Sequence, residues 1–168
     1  VSVFLEPFMI DLKYPILEPG LYVISLPIGC LSDLTFRAFN VLKITKNILA
    51  EDTRNAKILL SMLEIDISQK KINSYHEHSS KLERKKVIQL IKNGENVSLI
   101  CDAGTPLISD PGYKLVREII NSGFKVFSVP GVSSPIAALS VSGLPTDTFS
   151  FIGFLPASKN KKLEIMEK

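Results

Sequence analysis

The 168-residue sequence holds only two cysteines and two histidines, and that scarcity closes off several chemistries. Cys30 and Cys101 lie far apart, each beside an apolar run, with neither zinc-type spacing nor a disulfide framework. They read as two small buried thiols, which suits a reducing compartment. His76 and His78 stand i and i+2 in a polar loop with no third ligand beside them, so no metal centre is expected. Long apolar runs are missing too. The opening VSVFLEPFMIDLKYPIL is broken by Glu6, Pro7, Asp11 and Lys13 and lacks a basic start, so it reads as neither signal peptide nor membrane span. Charge of one sign is also in short supply. Twenty Lys and Arg against 17 Asp and Glu leave +3, which permits a nucleic-acid partner without demanding one.

What is present is the material of a globular core. The sequence is 45% hydrophobic, enough for one domain, or for one domain with the beginning of another. After Gly20, short β-branched runs alternate with helical patterns. Strands are expected at Leu21–Leu26, Asn47–Ala50, Lys71–Tyr75, Val97–Cys101 and Phe124–Val129. Between them, Asp33 or Ser32 caps a helix running to about Leu42, and Ala56–Leu63 carries an apolar stripe. Ser80–Asn93 places Leu82, Val87, Leu90 and Ile91 inward, with Gly94 as its stop. Asp110-Pro111 reads as an N-cap and first helical proline ahead of Tyr113–Asn121. A further helix over Ile136–Val141 is broken by Gly143-Leu144-Pro145, and Phe149–Phe154 reads as a last strand. Such alternation predicts an α/β fold, a mainly parallel five-stranded sheet between helical layers. The expected organisation is an N-terminal extension over 1–19, an α/β domain over 20–147, and a linker with the start of a second, largely absent domain over 148–168.

The stretch SLICDAGTPLISDPG, from Ser98 to Gly112, is far longer than the about 2–6 residues a strand-to-helix connection needs. It is one of four enriched loops on the edge where open parallel sheets bind ligands. The others are Pro27-Ile28-Gly29, Glu51-Asp52-Thr53-Arg54, and Pro130-Gly131-Val132-Ser133-Ser134. No P-loop or dinucleotide glycine pattern occurs, and no basic residue lies in the first or last of these loops. Asp102 and Asp110 would repel a polyphosphate. An acidic, glycine-rich rim suits instead a ligand with a cationic centre or ribose hydroxyls. Several of these residues also have a plainer reading: Asp52 as a helix cap, Arg54 as an ion-pair partner of Glu51 or Asp52, Ser133-Ser134 as a cap, and, outside the loops, Glu83-Arg84-Lys85-Lys86 as a solvated helix face.

LYVISLPIGCLSDLTFRA, LAEDTRNAKILL, SYHEHS, LICDAGTPLISDPGYKLV and VPGVSSPIAALSVSGLPTDTFSFIGFLP together closely resemble the ribosomal RNA small subunit methyltransferase I family. The resemblance covers about Gly20 to Pro156 and implies a tetrapyrrole-methylase fold. It implies S-adenosylmethionine as cofactor, and 2′-O-methylation of a cytidine ribose in small-subunit ribosomal RNA, on the RNA or the small subunit. A cytoplasmic homodimer with no membrane partner is expected. By the same resemblance, Ile28 and Gly29 line the donor, and Asp102, Gly104, Thr105 and Ile108 form its central cradle. Ser133 and Ser134 add polar contacts. The catalytic candidates are Asp52, His76, Glu77 and His78 as bases, with Arg54 on an RNA phosphate or a carboxylate. Two alternatives stand beside this reading: a tetrapyrrole or protein methylase on the same fold, and a shortened non-catalytic RNA-binding or dimerising remnant.

Overall fold

Five β-branched runs pair as parallel strands: Gly20–Ile24 (β1), Asn47–Ala50 (β2), Lys71–Ser74 (β3), Asn96–Ile100 (β4) and Val126–Val129 (β5). Their spatial order is β3-β2-β4-β1-β5 in this computed structural model, which describes residues 16–166. Residues 1–15 of the expected N-terminal extension lie outside the described residues. The helices are Phe36–Ile44 (α1), Thr53–Met62 (α2), Lys81–Lys92 (α3), Tyr113–Asn121 (α4), Ser134–Ser140 (α5) and Lys159–Met166 (α6).

The period-2 alternation of a strand sends successive side chains to opposite faces. Tyr22, Ile24, Ile48, Ala50 and Ile100 therefore share one core with Ala38, Val41 and Leu42 of α1 and Ala56 and Leu60 of α2. Leu21, Leu49, Val97 and Leu99 share the other with Val87 and Ile91 of α3 and Leu115 and Ile119 of α4. Crossovers between parallel strands keep one hand, so reversing the direction of travel moves the helices to the other face. The chain travels outward from β1 through β2 to β3 with α1 and α2 on the first face. It returns through β4 to β5 with α3 and α4 on the second. The adjacent strands β1 and β4 thus send their loops to opposite sides, which opens a crevice beyond their carboxyl ends.

Local chemistry fixes the helix starts. Ser80 Oγ accepts from the Glu83 amide at 3.2 Å, and the Glu83 carboxylate accepts from the Ser80 amide at 2.6 Å, a reciprocal capping box. The ammonium of Lys70 closes α1 from the other end, donating to the carbonyls of Leu42, Lys43 and Thr45 at 2.8–3.1 Å.

Several sequence expectations are corrected. Neither Ser32 nor Asp33 caps α1. Leu31–Asp33 is a 3-10 turn, and Thr35 Oγ1 is the acceptor for the Ala38 amide at 3.1 Å. Asp110 does not cap α4, because Gly112 at φ 139° takes the N-cap position and Pro111 falls before the helix. Leu82 is 64% exposed, since five residues from Val87 is about 140° around a helix of 3.6 residues per turn. Cys101 is buried as expected, but Cys30 is exposed in the loop after β1. Phe149–Phe154 is not a strand; no strand among the described residues lies beside it to complete a ladder, and Phe149, Phe151 and Phe154 stay exposed.

Candidate active site

Two hollows open at the crevice. The larger, about 370 Å³, is lined by Ile28 from the loop after β1, by Gly104, Thr105, Ile108 and Asp110 from the loop after β4, and by Ser133 and Ser134 at the start of α5. The smaller, about 220 Å³, is lined by Leu26, Gly29, Asn55, Leu59, Cys101 and Asp102 among others. Six of the eight expected donor-binding residues thus meet in the first hollow, and the other two, Gly29 and Asp102, border the second. Phe151, Gly153 and Phe154 wall the larger hollow from outside, Gly153 lying against Ser109. Neither hollow is lined by a lysine, arginine or histidine.

Tight backbone stitching holds the loops in register. Leu26 and Gly104 exchange both amide-to-carbonyl hydrogen bonds, at 2.8 and 3.1 Å, which clips the loop after β4 onto the end of β1. Gly104 sits at φ +75°, a conformation available to glycine without a Cβ penalty. Ser25 and Thr105 share a hydroxyl contact at 2.8 Å, and Thr105 Oγ1 donates onward to the Val132 carbonyl at 3.3 Å. Three loops are therefore tied through one threonine. Leu107 (φ 73°) and Ser109 (φ 63°) lie in the left-handed region, so the same loop carries backbone strain beside the hollow. Ser133 is the N-cap residue of α5 but makes no side-chain capping bond, which leaves its hydroxyl for the larger hollow.

The electrostatics of the rim are negative. Burial first, then the charges of Asp110 and Asp102, hold the Glu51 carboxyl above its ordinary value. Burial and the Asp102 charge do the same to Asp110, against a lowering contact from the Cys101 thiol. Cys101 itself is pushed up to about 12, chiefly by burial, and its thiol lies 3.1 Å from the Ala103 carbonyl, so it stays protonated and inert. Asp102 is exposed and accepts a hydrogen bond from Asn55 Nδ2 at 2.8 Å. Sequence reasoning passed over Asn55 entirely, gave Glu51 a place in an enriched loop and as an ion-pair partner for Arg54, and read Asp110 both as a cap and as an acid that would repel a polyphosphate. For Glu51, a carboxylate directly after the fully buried strand β2 was the available signal.

None of the five catalytic candidates lines either hollow. Asp52 caps α2, accepting from the Arg54 amide at 2.7 Å, and its carboxylate also takes a two-pronged bond from the Arg54 guanidinium, 2.6 Å at the closest. Those Arg54 hydrogen bonds hold the Asp52 carboxyl well below the usual range, at about 2. The depressed value means that whatever this pairing adds to stability is present above about pH 4 and is lost as the pH falls through about 2. An NMR titration of the Asp52 carboxyl is expected to show a midpoint near 2 in the native chain. In Arg54→Ala the midpoint should return toward the ordinary aspartate value, and an unmoved midpoint would refute the assignment of cause. Glu77 pairs with Lys114 at 2.6 Å and is lowered by it. His76 and His78 are exposed, with ring centroids 6.2 Å apart. Among the described residues no group of three or more His, Cys, Asp or Glu is arranged to hold a metal ion, and no helix is long and apolar enough to cross a membrane.

Comparison with known proteins places this geometry. Residues 20–167 match the family model described as Tetrapyrrole (Corrin/Porphyrin) Methylases. The chain is 52% identical over 150 residues to a protein of Rickettsia prowazekii (strain Madrid E) named Ribosomal RNA small subunit methyltransferase I, covering 89% of this chain and 52% of that one. Proteins of the same name from Mesorhizobium japonicum and Thermotoga maritima are 45% and 44% identical, covering 90% and 84% of this chain and 50% and 63% of theirs. The chain spans about half to two thirds of the length of these relatives. Among solved structures, uroporphyrin-III-C-methyltransferase from Thermus thermophilus shares the fold with a TM-score of 0.53 at 22% identity, covering 76% of this chain and 53% of that one.

Proposed function

This chain belongs to the tetrapyrrole (corrin/porphyrin) methylase family, and from that membership we propose that it binds S-adenosylmethionine at the rim of its sheet. The methyl acceptor is the 2′-hydroxyl of a cytidine ribose in small-subunit ribosomal RNA, free or in the small subunit. Residues 20–147 form the donor-binding unit and 148–168 begin a second one; the protein works as a cytoplasmic homodimer. The observation that carries the donor assignment is a hollow of about 370 Å³ beside three carboxylates and without one basic side chain in its lining. The volume lies in the range of about 300–1,000 Å³ common for small-ligand sites. The relatives' printed names, at 44–52% identity, support the choice of ribosomal RNA.

When bound, S-adenosylmethionine supplies an electrophilic methyl group on a positively charged sulfur. Ile28 and Ile108 give the apolar lining, and Gly104 admits close backbone approach. Ser133 and Ser134 offer hydroxyls, while Gly29 and Asp102 extend the surface into the neighbouring hollow. Glu51, Asp102 and Asp110 set a negative potential that favours a cation and disfavours phosphate. A ribose hydroxyl is a weak acid, so holding its oxygen in line with the methyl group supplies much of the rate. Asp52 is a poor proton acceptor with its carboxyl at about 2; it orients Arg54, whose side chain is 86% exposed and placed for an RNA phosphate. Glu77 is held by Lys114. The imidazoles of His76 and His78 make no hydrogen bond or ion pair among the described residues, which leaves one of these two to accept the ribose proton.

Calorimetric titration of S-adenosylmethionine, paired with labelled methyl transfer to small-subunit RNA, tests the proposal. Saturable heat and 2′-O-methylcytidine in the digested RNA are expected. Heat only from a chain extended to the relatives' length would make the 168-residue chain a remnant without activity of its own. Heat without RNA methylation, but with methylation of a tetrapyrrole or protein, would overturn the substrate.

A further inference from the structure

The run Glu83-Arg84-Lys85-Lys86 does not present one uniform solvated face. Arg84 turns inward, 11% exposed, and donates to Glu118 of α4 at 2.8 Å and to the Ser79 carbonyl at 2.7 Å. Lys85 lines a groove of about 700 Å³ between α3 and α4, together with Lys81, Lys92, Ile88 and Phe124, whereas Lys86 faces a separate hollow beside β3. Lys81, Lys85 and Lys92 are exposed, and their ammonium groups make no ion pair or hydrogen bond among the described residues. Glu118 is the one acid in the lining, and Arg84 already neutralises it. A groove with three uncompensated cations and its only carboxylate paired is complementary to a row of negative charges.

The direction of the row matters. A crossover helix runs back antiparallel to the strands it connects, so the N-terminus of α3 lies at the rim that carries the two hollows. Lys81 stands at that end, just after the His76–Ser79 loop, and Lys92 stands at the other end of the helix, about 16 Å away at 1.5 Å per residue. Lys81 and Lys85 are separated by about 6 Å of rise, Lys85 and Lys92 by about 10 Å. The half-buried Ile88 and Phe124 between them give apolar footing for ribose or base faces. We propose that the α3–α4 groove is a track for the phosphate backbone of single-stranded RNA, leading from the active-site rim down the second face of the sheet. This rests on the RNA methyltransferase reading above and adds to it the surface that holds the substrate away from the reacting ribose.

The test is fluorescence anisotropy of a labelled single-stranded RNA oligonucleotide with the 168-residue chain across a salt series. The groove variant is K81Q/K85Q/K92Q. The control is R37Q/K46Q/K57Q, three exposed cations that line none of these hollows and whose side chains form no ion pair among the described residues. Loss of about three phosphate contacts should lower RNA affinity roughly tenfold or more and flatten the log-log salt slope by about 2. Melting temperature and S-adenosylmethionine affinity should not change, and the control should keep the native slope. A groove variant that binds RNA like the native chain, or no worse than the control, would overturn the track while leaving the methyltransferase reading intact. Polyglutamate displacing the RNA as well as unlabelled RNA does would overturn it in favour of an acidic protein partner. Native chain that shows no salt-dependent RNA binding at all would overturn the track and the RNA reading together.

Discussion

Asp102→Ala is expected to weaken S-adenosylmethionine binding about tenfold, while Arg54→Ala leaves that affinity unchanged and reduces RNA methylation. The two residues lie close enough for Asp102 to raise the Arg54 pKa, so the contrast tests their roles rather than their distance. Asp102 borders the smaller hollow and is the carboxylate common to the perturbation of Glu51 and Asp110. Removing it takes away attraction for a cationic ligand, and at a half-solvated rim an elementary charge some 10 Å away is worth about 1–2 kcal/mol. That energy corresponds to about tenfold in affinity. Alanine also frees Asn55 Nδ2, which is exposed and finds water, so little of the loss comes from a stranded donor. Asp102→Asn separates the charge from the hydrogen bond and should reproduce most of the loss. Calorimetry on the three variants, with methyl transfer measured in parallel, reads both effects. Equal loss of donor affinity in Asp102→Ala and Arg54→Ala would remove the distinction between a donor-facing and an RNA-facing side chain.

Gly112→Ala is expected to destabilise the whole domain and to abolish measurable donor binding. Gly112 is buried at the start of α4 with φ at 139°, a backbone conformation that L side chains rarely adopt. A Cβ there would also lie 3.0 Å from Leu99 Cδ2 and 3.1 Å from two carbons of Leu107. Strained backbone costs about 1–3 kcal/mol and overpacking a similar amount, so about 3 kcal/mol is a reasonable sum. For a chain of this size that lowers Tm by roughly 6–12 °C. Leu107 already sits at φ 73°, so the strain transmits directly into the loop between Asp102 and Gly112 that lines the larger hollow. Thermal unfolding and donor calorimetry on the same sample check both parts. Native-like Tm with native-like affinity would mean that this loop accommodates a side chain and is not held as described. Gly123→Ala is a useful contrast, because its Cβ would meet nothing within 4 Å; only its φ of 78° would be strained.

The elements were legible because their periodicity is strong. All five strands of the sheet and the helices α1 to α5 fall close to where apolar spacing places them, and the parallel pairing follows from the alternation of strand and helix. Failures cluster where a local rule met a competing one. Asp110-Pro111 satisfies the sequence signature of a helix start, yet Gly112 supplies a backbone angle that no cap side chain provides, and the helix begins after it. Leu82 is apolar but falls outside the arc that Val87 and Ile91 define. Phe149–Phe154 has strand composition, but a strand exists only with a neighbour to pair with. At the rim, the motif residues were identifiable as a group, whereas the Asp52–Arg54 pair, the Glu77–Lys114 pair and the hydroxyl chain from Ser25 through Thr105 to Val132 depend on atoms brought together across loops.

Amino-acid order alone determined the alternation of strand and helix, the acidic and glycine-rich character of the connections, and the absence of basic residues from the loops after β1 and β5. These are short-range properties, set by side-chain period, charge and backbone freedom within a few residues. Folding decided that the loops after β1 and β4 part at neighbouring strands and leave a hollow between them. It also decided which carboxylates stay unpaired at the rim, and which lysines of α3 remain without an acid. Both depend on contacts between residues far apart in the chain, and no local pattern encodes the partner that packing supplies.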